Sequence, residues 1–97
     1  MRIYNKSTLR TYWEKHVETT SQLQTWYRKT EQTTWKNPSD IKAVYSDASI
    51  LPGNRVVFNI KGNEYRLVVK VHYNRQKVYI RFIGTHGEYD KVDAATV

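Results

Sequence analysis

Three segments of alternating apolar and polar residues, joined by two short turns, fill the stretch between Gly53 and Gly84. A period of two gives a β-strand one apolar face and one more polar face. The segments therefore predict three antiparallel strands. The residues expected to face the core are Val56, Phe58 and Ile60 in the first strand, Tyr65, Leu67, Val69, Val71 and Tyr73 in the second, and Val78, Ile80 and Phe82 in the third.

The first turn determines how the first two strands pair. Gly62 and Asn63 suit the centre of a two-residue hairpin, because glycine adopts positive φ freely and asparagine does so more readily than most residues. This register places Arg55 opposite Lys70, on the more polar face.

The second turn is expected to be centred on Arg75 and Gln76. That register keeps the apolar residues of both strands on one face, whereas a slip of one residue would reverse a whole strand. It also pairs Lys70 with Arg81, so that Arg55, Lys70 and Arg81 form a row. Like charges directly opposite one another are destabilising. Either a polyanion binds to this row, or the row is part of an ordinary solvated face.

The charge of the chain is concentrated on the same strands. The 97 residues carry a net charge of +7, and the stretch from Gly53 to Arg81 holds seven basic residues and one acidic residue. A basic surface on one sheet is typical of a nucleic-acid-binding protein. An anionic membrane is a less suitable partner, because binding to it usually requires a basic amphipathic helix or a flexible basic run.

The chain length predicts one domain over residues 1–97. Cysteine is absent, which excludes a disulfide framework and thiolate chemistry. The first ten residues lack the apolar segment of a signal peptide, and no later apolar run has the length of a membrane span. We therefore expect a cytoplasmic protein.

Helical periodicity dominates the first half of the chain. Ser7 is predicted to cap a first helix, and the segment 19–22 (TTSQ) resembles the capping box of a second. Asn37 and Pro38 end that helix, since the residue before proline avoids the α region. Two helical stripes follow: one face of the first helix carries Leu9, Tyr12, Trp13, His16 and Val17, and one face of the second carries Leu23, Trp26, Tyr27 and Thr30, with Trp35 near its end. Trp26 and Trp35 are expected to pack in the core, and His16 to be packed or half-buried.

A short third helix is expected after Ser39 or Asp40, with Ile41, Val44 and Tyr45 facing inward. Residues 2–4 could add a strand to the sheet edge, and residues 48–52 are predicted to form the loop that enters the sheet. The order of elements predicts an α+β fold, with N-terminal helices packed on a three- to four-stranded antiparallel sheet and a short C-terminal helical tail.

Several classes of chemistry lack the residues they need. The three histidines have no metal-ligand spacing, so we expect no metal site. Glycine motifs for nucleotides and a serine elbow are also missing, and no cofactor is expected. Cleavage of RNA by attack of its 2′-hydroxyl on phosphorus needs neither a metal ion nor a cofactor. Arginines can stabilise the phosphate charge, and His86 can transfer a proton.

From Arg55 onward the sequence resembles the HigB-type toxins of bacterial type II toxin–antitoxin modules, in the RelE/ParE-like superfamily. The resemblance depends on VVFNIKGNEYRLVVKVHY, VYIRFIGTH and EYDKVDA, and it covers about the last two-fifths of the chain. It implies a RelE-like domain and an mRNA interferase, an endoribonuclease that cuts messenger RNA on the ribosome. It also implies a HigA-like helix-turn-helix antitoxin as partner.

Two sets of site residues follow from the resemblance and from the basic face. The predicted catalytic residues are Arg66, Arg81, His86 and Tyr89. The predicted RNA-binding residues are Arg55, Lys61, Lys70 and Lys91. The two arginines of the first set are assigned to phosphate stabilisation, His86 to proton transfer, and Tyr89 to base stacking or proton transfer.

One departure from the superfamily keeps alternatives open. Well-known RelE members carry two lysines on the strand before the hairpin turn, where this chain has Val57 and Asn59. The identity of the general base is therefore undetermined. A ParE-like toxin that poisons DNA gyrase, a non-catalytic basic RNA-binding module and a plain interaction protein are the competing interpretations.

Overall fold

Helices cover one face of a five-stranded sheet in the computed structural model, which describes all residues 1–97. The strand order is β1-β5-β4-β3-β2. The elements are β1 (Arg2–Tyr4), α1 (Lys6–Lys15), a 3-10 turn (Val17–Thr19), α2 (Thr20–Glu31), α3 (Pro38–Val44), β2 (Ser49–Leu51), β3 (Arg55–Ile60), β4 (Tyr65–His72), β5 (Lys77–Thr85) and α4 (His86–Tyr89). The predicted α+β class and the helical tail are confirmed.

The three central strands pair antiparallel as predicted, but the sheet has one strand more than the predicted three or four, and one edge strand is parallel to its neighbour. β2 forms where a loop was expected, and Ile50 pairs with Val56 in antiparallel register. β1 is the expected edge strand, but it runs parallel to β5, with Ile3 opposite Val78. Each edge strand has three residues, which is too short for a period of two to be recognised in the sequence.

The register of the first hairpin is confirmed, with Arg55 opposite Lys70. The register of the second hairpin is wrong, because a four-residue loop connects β4 to β5 and places Lys70 opposite Tyr79. Gln76 stabilises this wider loop. It adopts a φ of 55°, and its Nε2 donates to the carbonyl oxygens of Tyr73 (2.8 Å) and Trp35 (2.9 Å).

A β-bulge at Arg81 changes which residues of β5 face the core. Val69 pairs with Ile80 and Val68 with Phe82, so Arg81 has no direct partner in the β4–β5 ladder. The alternation reverses past the bulge. The prediction that Phe82 faces the core is therefore wrong, and Phe82 lies on the opposite face of the sheet, beside Val68.

The core lies between the helices and one face of the sheet. Phe58 is at its centre, with ring-centroid distances of 5.4 Å to Trp26, 6.0 Å to Trp35 and 5.0 Å to Tyr45. Aromatic pairs in these geometries add to the free energy gained by burial. The prediction that Trp26 and Trp35 pack in the core is confirmed, since they are 3% and 2% exposed.

None of the three predicted side-chain caps is observed, although α2 begins where predicted, directly after Thr19. Ser7 lies inside α1, which begins after Asn5 in a left-handed conformation. Thr19 occupies the N-cap position of α2, but its side chain does not cap the helix, because its hydroxyl donates to the carbonyl oxygen of His16 (2.7 Å). α3 begins at Pro38, one residue after Asn37, whose Oδ1 accepts from the amide of Asp40 (3.2 Å). Side-chain capping therefore marks α3 but neither of the longer helices.

No helix combines the length and the apolar character that crossing a membrane requires.

Candidate nucleic-acid interface

The face of the sheet that points away from the helices, the outer face, carries most of the predicted site residues. Strand register arranges its side chains in three rows across β3, β4 and β5. From one end of the sheet to the other, the rows are Asn59–Arg66–Gly84, Val57–Val68–Phe82 and Arg55–Lys70–Tyr79. Basic side chains thus occupy the first and third rows, and apolar side chains occupy the second.

The apolar middle row is covered by the segment that follows α4. Val57 is 3% exposed, Val68 is fully buried, and both pack with Ala94. Tyr89 and Val97 lie at the margin of this small cluster. The basic surface predicted on this sheet is therefore not continuous, because a buried apolar patch divides the basic residues into two groups.

The first group is built around Arg66 at the β3–β4 turn. Its Nη1 donates to the carbonyl oxygens of Asn63 (2.9 Å) and Tyr65 (3.3 Å), and its Cζ lies 6.0 Å from the ring centre of Tyr89. No carboxylate is within salt-bridge distance of this guanidinium. Neutral acceptors thus orient Arg66 without cancelling its charge, which suits the binding of a phosphate.

His86 is the first residue of α4, which lies beside the β3–β4 turn that carries this group. Its backbone amide donates to the carbonyl oxygen of Glu64 (2.9 Å), which joins α4 to the β3–β4 turn. Its Nδ1 lies 3.2 Å from Oδ2 of Asp90, and its side chain is 53% exposed. With Nδ1 donating to Asp90, Nε2 is left to exchange a proton.

A capping box holds α4 at the end of β5. The hydroxyl oxygen of Thr85 accepts from the amide of Glu88 (3.2 Å), and Oε1 of Glu88 accepts from the amide of Thr85 (2.8 Å). These hydrogen bonds keep the pKa of Glu88 below its ordinary value. Sequence reasoning missed this pair and Asp90, although Thr85-x-x-Glu88 matches the capping-box pattern.

The position opposite Arg66 is a glycine, Gly84, because a side chain does not fit there. A Cβ at this position would be 2.6 Å from Cζ of Phe82 and 3.0 Å from Oε1 of Glu88. We expect Gly84→Ala to lower the free energy of unfolding by about 1–2 kcal/mol, measured by urea denaturation. Gly87→Ala is the control, because its Cβ meets its nearest neighbour at 4.0 Å. Equal stability of the two variants would contradict this explanation.

The second basic group contains Arg55, Lys70 and Arg81. Nη2 of Arg55 (3.0 Å) and Nε of Arg81 (3.1 Å) both donate to the carbonyl oxygen of Val97. Arg55 also donates from Nη2 to the carbonyl oxygen of Thr96 (3.4 Å). The predicted row is therefore present in space, although its predicted Lys70–Arg81 pairing is wrong, and a segment of the same chain bridges its two arginines.

The remaining two predicted RNA-binding residues lie at the edges of the first group. Lys61 is in the β3–β4 turn with a φ of 52°, and its Nζ is 3.7 Å from Oε2 of Glu64. Lys91 is exposed, and its amide donates to the carbonyl oxygen of Glu88 (3.2 Å) just after α4. Their roles, like those of the other site residues, stay predictions.

A polar and aromatic cluster on the helical side supports the end of the sheet from which α4 begins. The hydroxyl of Tyr65 donates to Oε2 of Glu18, and Tyr12 stacks on His16 with centroids 4.2 Å apart. The hydrogen bond raises the pKa of Tyr65 to about 12 and lowers the pKa of Glu18. The cluster thus connects the 3-10 turn before α2 to the first residue of β4.

This hydrogen bond should give the stability a defined pH dependence. The lowered pKa of Glu18 contributes stability above the ordinary value of 4.5, which is lost as pH falls through the lowered value. The raised pKa of Tyr65 contributes stability below 10.0, which is lost as pH rises through about 12. Urea denaturation should show the largest difference between wild type and Tyr65→Phe in between. Tyr4→Phe is the control, and a gap that does not vary with pH would contradict this assignment.

Comparison with known proteins identifies one matching family. A family model described as HigB_toxin, the RelE-like toxic component of a toxin–antitoxin system, matches residues 19–92. The chain is 41% identical over 58 residues to the mRNA interferase toxin HigB of Escherichia coli K12. The proteins named mRNA interferase HigB in Escherichia coli O157:H7 and Shigella flexneri match equally well. The match covers 58% of this chain and 56% of each relative, so it spans a little over half their length.

Proposed function

The chain belongs to the HigB family of RelE-like toxic components of toxin–antitoxin systems, and we propose on this basis that residues 1–97 form one toxin domain that cleaves messenger RNA. The matching relatives are named mRNA interferases, and the arrangement of the outer face supports the same activity here. Cleavage of messages arrests translation, and we place it on the translating ribosome in the cytoplasm.

One observation carries this proposal: Arg66 keeps an uncancelled charge beside Tyr89 and the helix that begins at His86. In the proposed reaction, the 2′-oxygen of a ribose attacks the neighbouring phosphorus while its proton is removed. A 2′,3′-cyclic phosphate forms, the bond from phosphorus to the 5′-oxygen breaks, and that oxygen takes up a proton. Arg66 stabilises the charge on the phosphate oxygens, His86 transfers a proton, and Tyr89 stacks on a base.

The other basic residues position the strand around this centre. Lys61 is in the β3–β4 turn and Lys91 follows α4, and Arg55, Lys70 and Arg81 continue the basic surface beyond the apolar row. Arg81 thus contacts a phosphate next to the one that reacts, rather than the same one. No metal or cofactor takes part in these steps. The proposed partners are messenger RNA, the ribosome and a HigA-like helix-turn-helix antitoxin.

Brief induction of the chain in bacteria tests the proposal. Primer extension on an abundant message should reveal new 5′ ends within minutes, and chromosomal DNA should stay intact. Chromosomal breaks with intact messages would instead indicate a poison of DNA gyrase. Growth without either lesion would leave only a binding role and would overturn the proposal.

A further inference from the structure

A groove runs along the helical side of the molecule, between α2, α3 and the end of β3. It consists of two adjoining pockets of about 230 and 280 Å³. Lys29 and Tyr45 line both pockets and form the ridge between them. We call this the helix groove. β3 contributes Phe58 and Ile60 from its core-facing side and Asn59 from the outer face. The groove therefore runs from the helical side to the end of β3.

The helix groove has an apolar floor and an unsatisfied hydrogen-bond donor in its wall. Trp26 lines the first pocket and is 3% exposed, and its buried Nε1 has no acceptor. Buried polar groups without a partner are rare in folded proteins. Val44 lines the second pocket and is 60% exposed. The prediction that Val44 faces the core is wrong, and this valine is instead available to a partner.

The charge of the helix groove favours an acidic partner. Lys29 is exposed at the ridge and Lys61 lies at one end, whereas no residue that lines either pocket is an aspartate or a glutamate. Neither salt bridge of the chain involves Lys29. A partner with apolar side chains beside a carboxylate therefore complements this surface in shape and in charge.

We propose that the helix groove is the docking surface of the antitoxin, which inserts an apolar side chain into each pocket and places a carboxylate on Lys29. This inference rests on the proposed function as the toxin of a toxin–antitoxin pair. The centre of this docking surface, at Lys29 and Val44, lies on the helical side, whereas the proposed RNA site is centred on Arg66 on the outer face. The two approach each other only at the end of β3, where Asn59 and Lys61 line the first pocket. Substitutions of Lys29 and Val44 should therefore affect binding of the antitoxin and not of RNA.

The test measures binding of the full chain to the protein encoded by the neighbouring open reading frame. Lys29→Glu and Val44→Asp should each weaken that binding by at least about tenfold, as substitutions at the centre of an interface do. Lys15→Glu and Val17→Asp are matched controls, because these residues are exposed and lie outside the groove. The controls should bind like wild type, and all four variants should cleave messages at the wild-type rate.

Three results would overturn the inference. If Lys29→Glu and Val44→Asp bind the neighbouring protein as tightly as wild type, the antitoxin docks elsewhere, and the proposed nuclease activity is unaffected. If these two variants lose message cleavage, the groove binds RNA instead. If wild type itself does not bind the neighbouring protein, that protein is not its antitoxin and the inference is wrong. Fragmentation of messages after induction still tests the proposed function independently.

Discussion

Replacing Arg66 by alanine is expected to lower the rate of messenger RNA cleavage by at least about a hundredfold, because electrostatic stabilisation of the reacting phosphate is usually the largest catalytic contribution. The fold should persist, since the guanidinium donates only to the carbonyl oxygens of Asn63 and Tyr65. The measurement is the rate at which purified protein cuts a message in a reconstituted translation system. The free energy of unfolding should be measured in parallel.

Arg75→Ala provides the matched control for this prediction. Arg75 is an exposed arginine in the β4–β5 loop, outside the three rows of the outer face. Its loss removes the same charge from the molecule but should leave cleavage within about twofold of wild type, because an isolated surface charge has little influence at a distance in salt. Equal losses in both variants would mean that only overall charge matters, and the assignment of Arg66 would be wrong.

His86→Ala should produce a second large loss, of about a hundredfold or more, if this side chain transfers the proton. Asp90→Asn should have a smaller effect, since Asp90 only orients the imidazole through Nδ1, 3.2 Å away. His72→Ala is the control, because His72 lies at the far end of β4 and contacts Tyr79. The cleavage rates of all three should be measured across a range of pH.

Two outcomes would contradict this role for His86. The first is a variant that cuts messages at the parental rate. The second is a loss of activity accompanied by a matching loss of stability, which would mean that the residue acts by holding α4 in place. The backbone bond from His86 to Glu64 is independent of the side chain, so the substitution should leave α4 attached to the sheet.

The sequence predicted the central strands because their pattern is long and locally determined. β3 and β4 have six and eight residues, and the turn at Gly62 connects them directly. The bulge at Arg81 was not predictable in this way. Phe82 and Ile83 are consecutive apolar residues, so either one could continue the core face. Packing of Ile83 against the helical side decides between them, and that contact is not encoded locally.

The candidate site was predicted only in part, because the strand pattern is local and the path of the C-terminal segment is not. Arg66 and the two basic residues of the third row, Arg55 and Lys70, share the outer face, as the period of two required. Their separation by Val57 and Val68 could be read from the sequence, but the position of Ala94 on that patch could not. The path of a C-terminal segment depends on contacts with strands far away in the chain, which a local pattern does not specify.

The most direct test of the account is the chemistry of the cleaved ends. Purified wild-type protein should be incubated with ribosomes paused on a defined message, and both fragments should be analysed. Attack by the 2′-hydroxyl predicts a 2′,3′-cyclic phosphate on the upstream fragment and a 5′-hydroxyl on the downstream fragment, neither of which should form with Arg66→Ala. A 3′-hydroxyl paired with a 5′-phosphate, or an uncut message, would contradict the account.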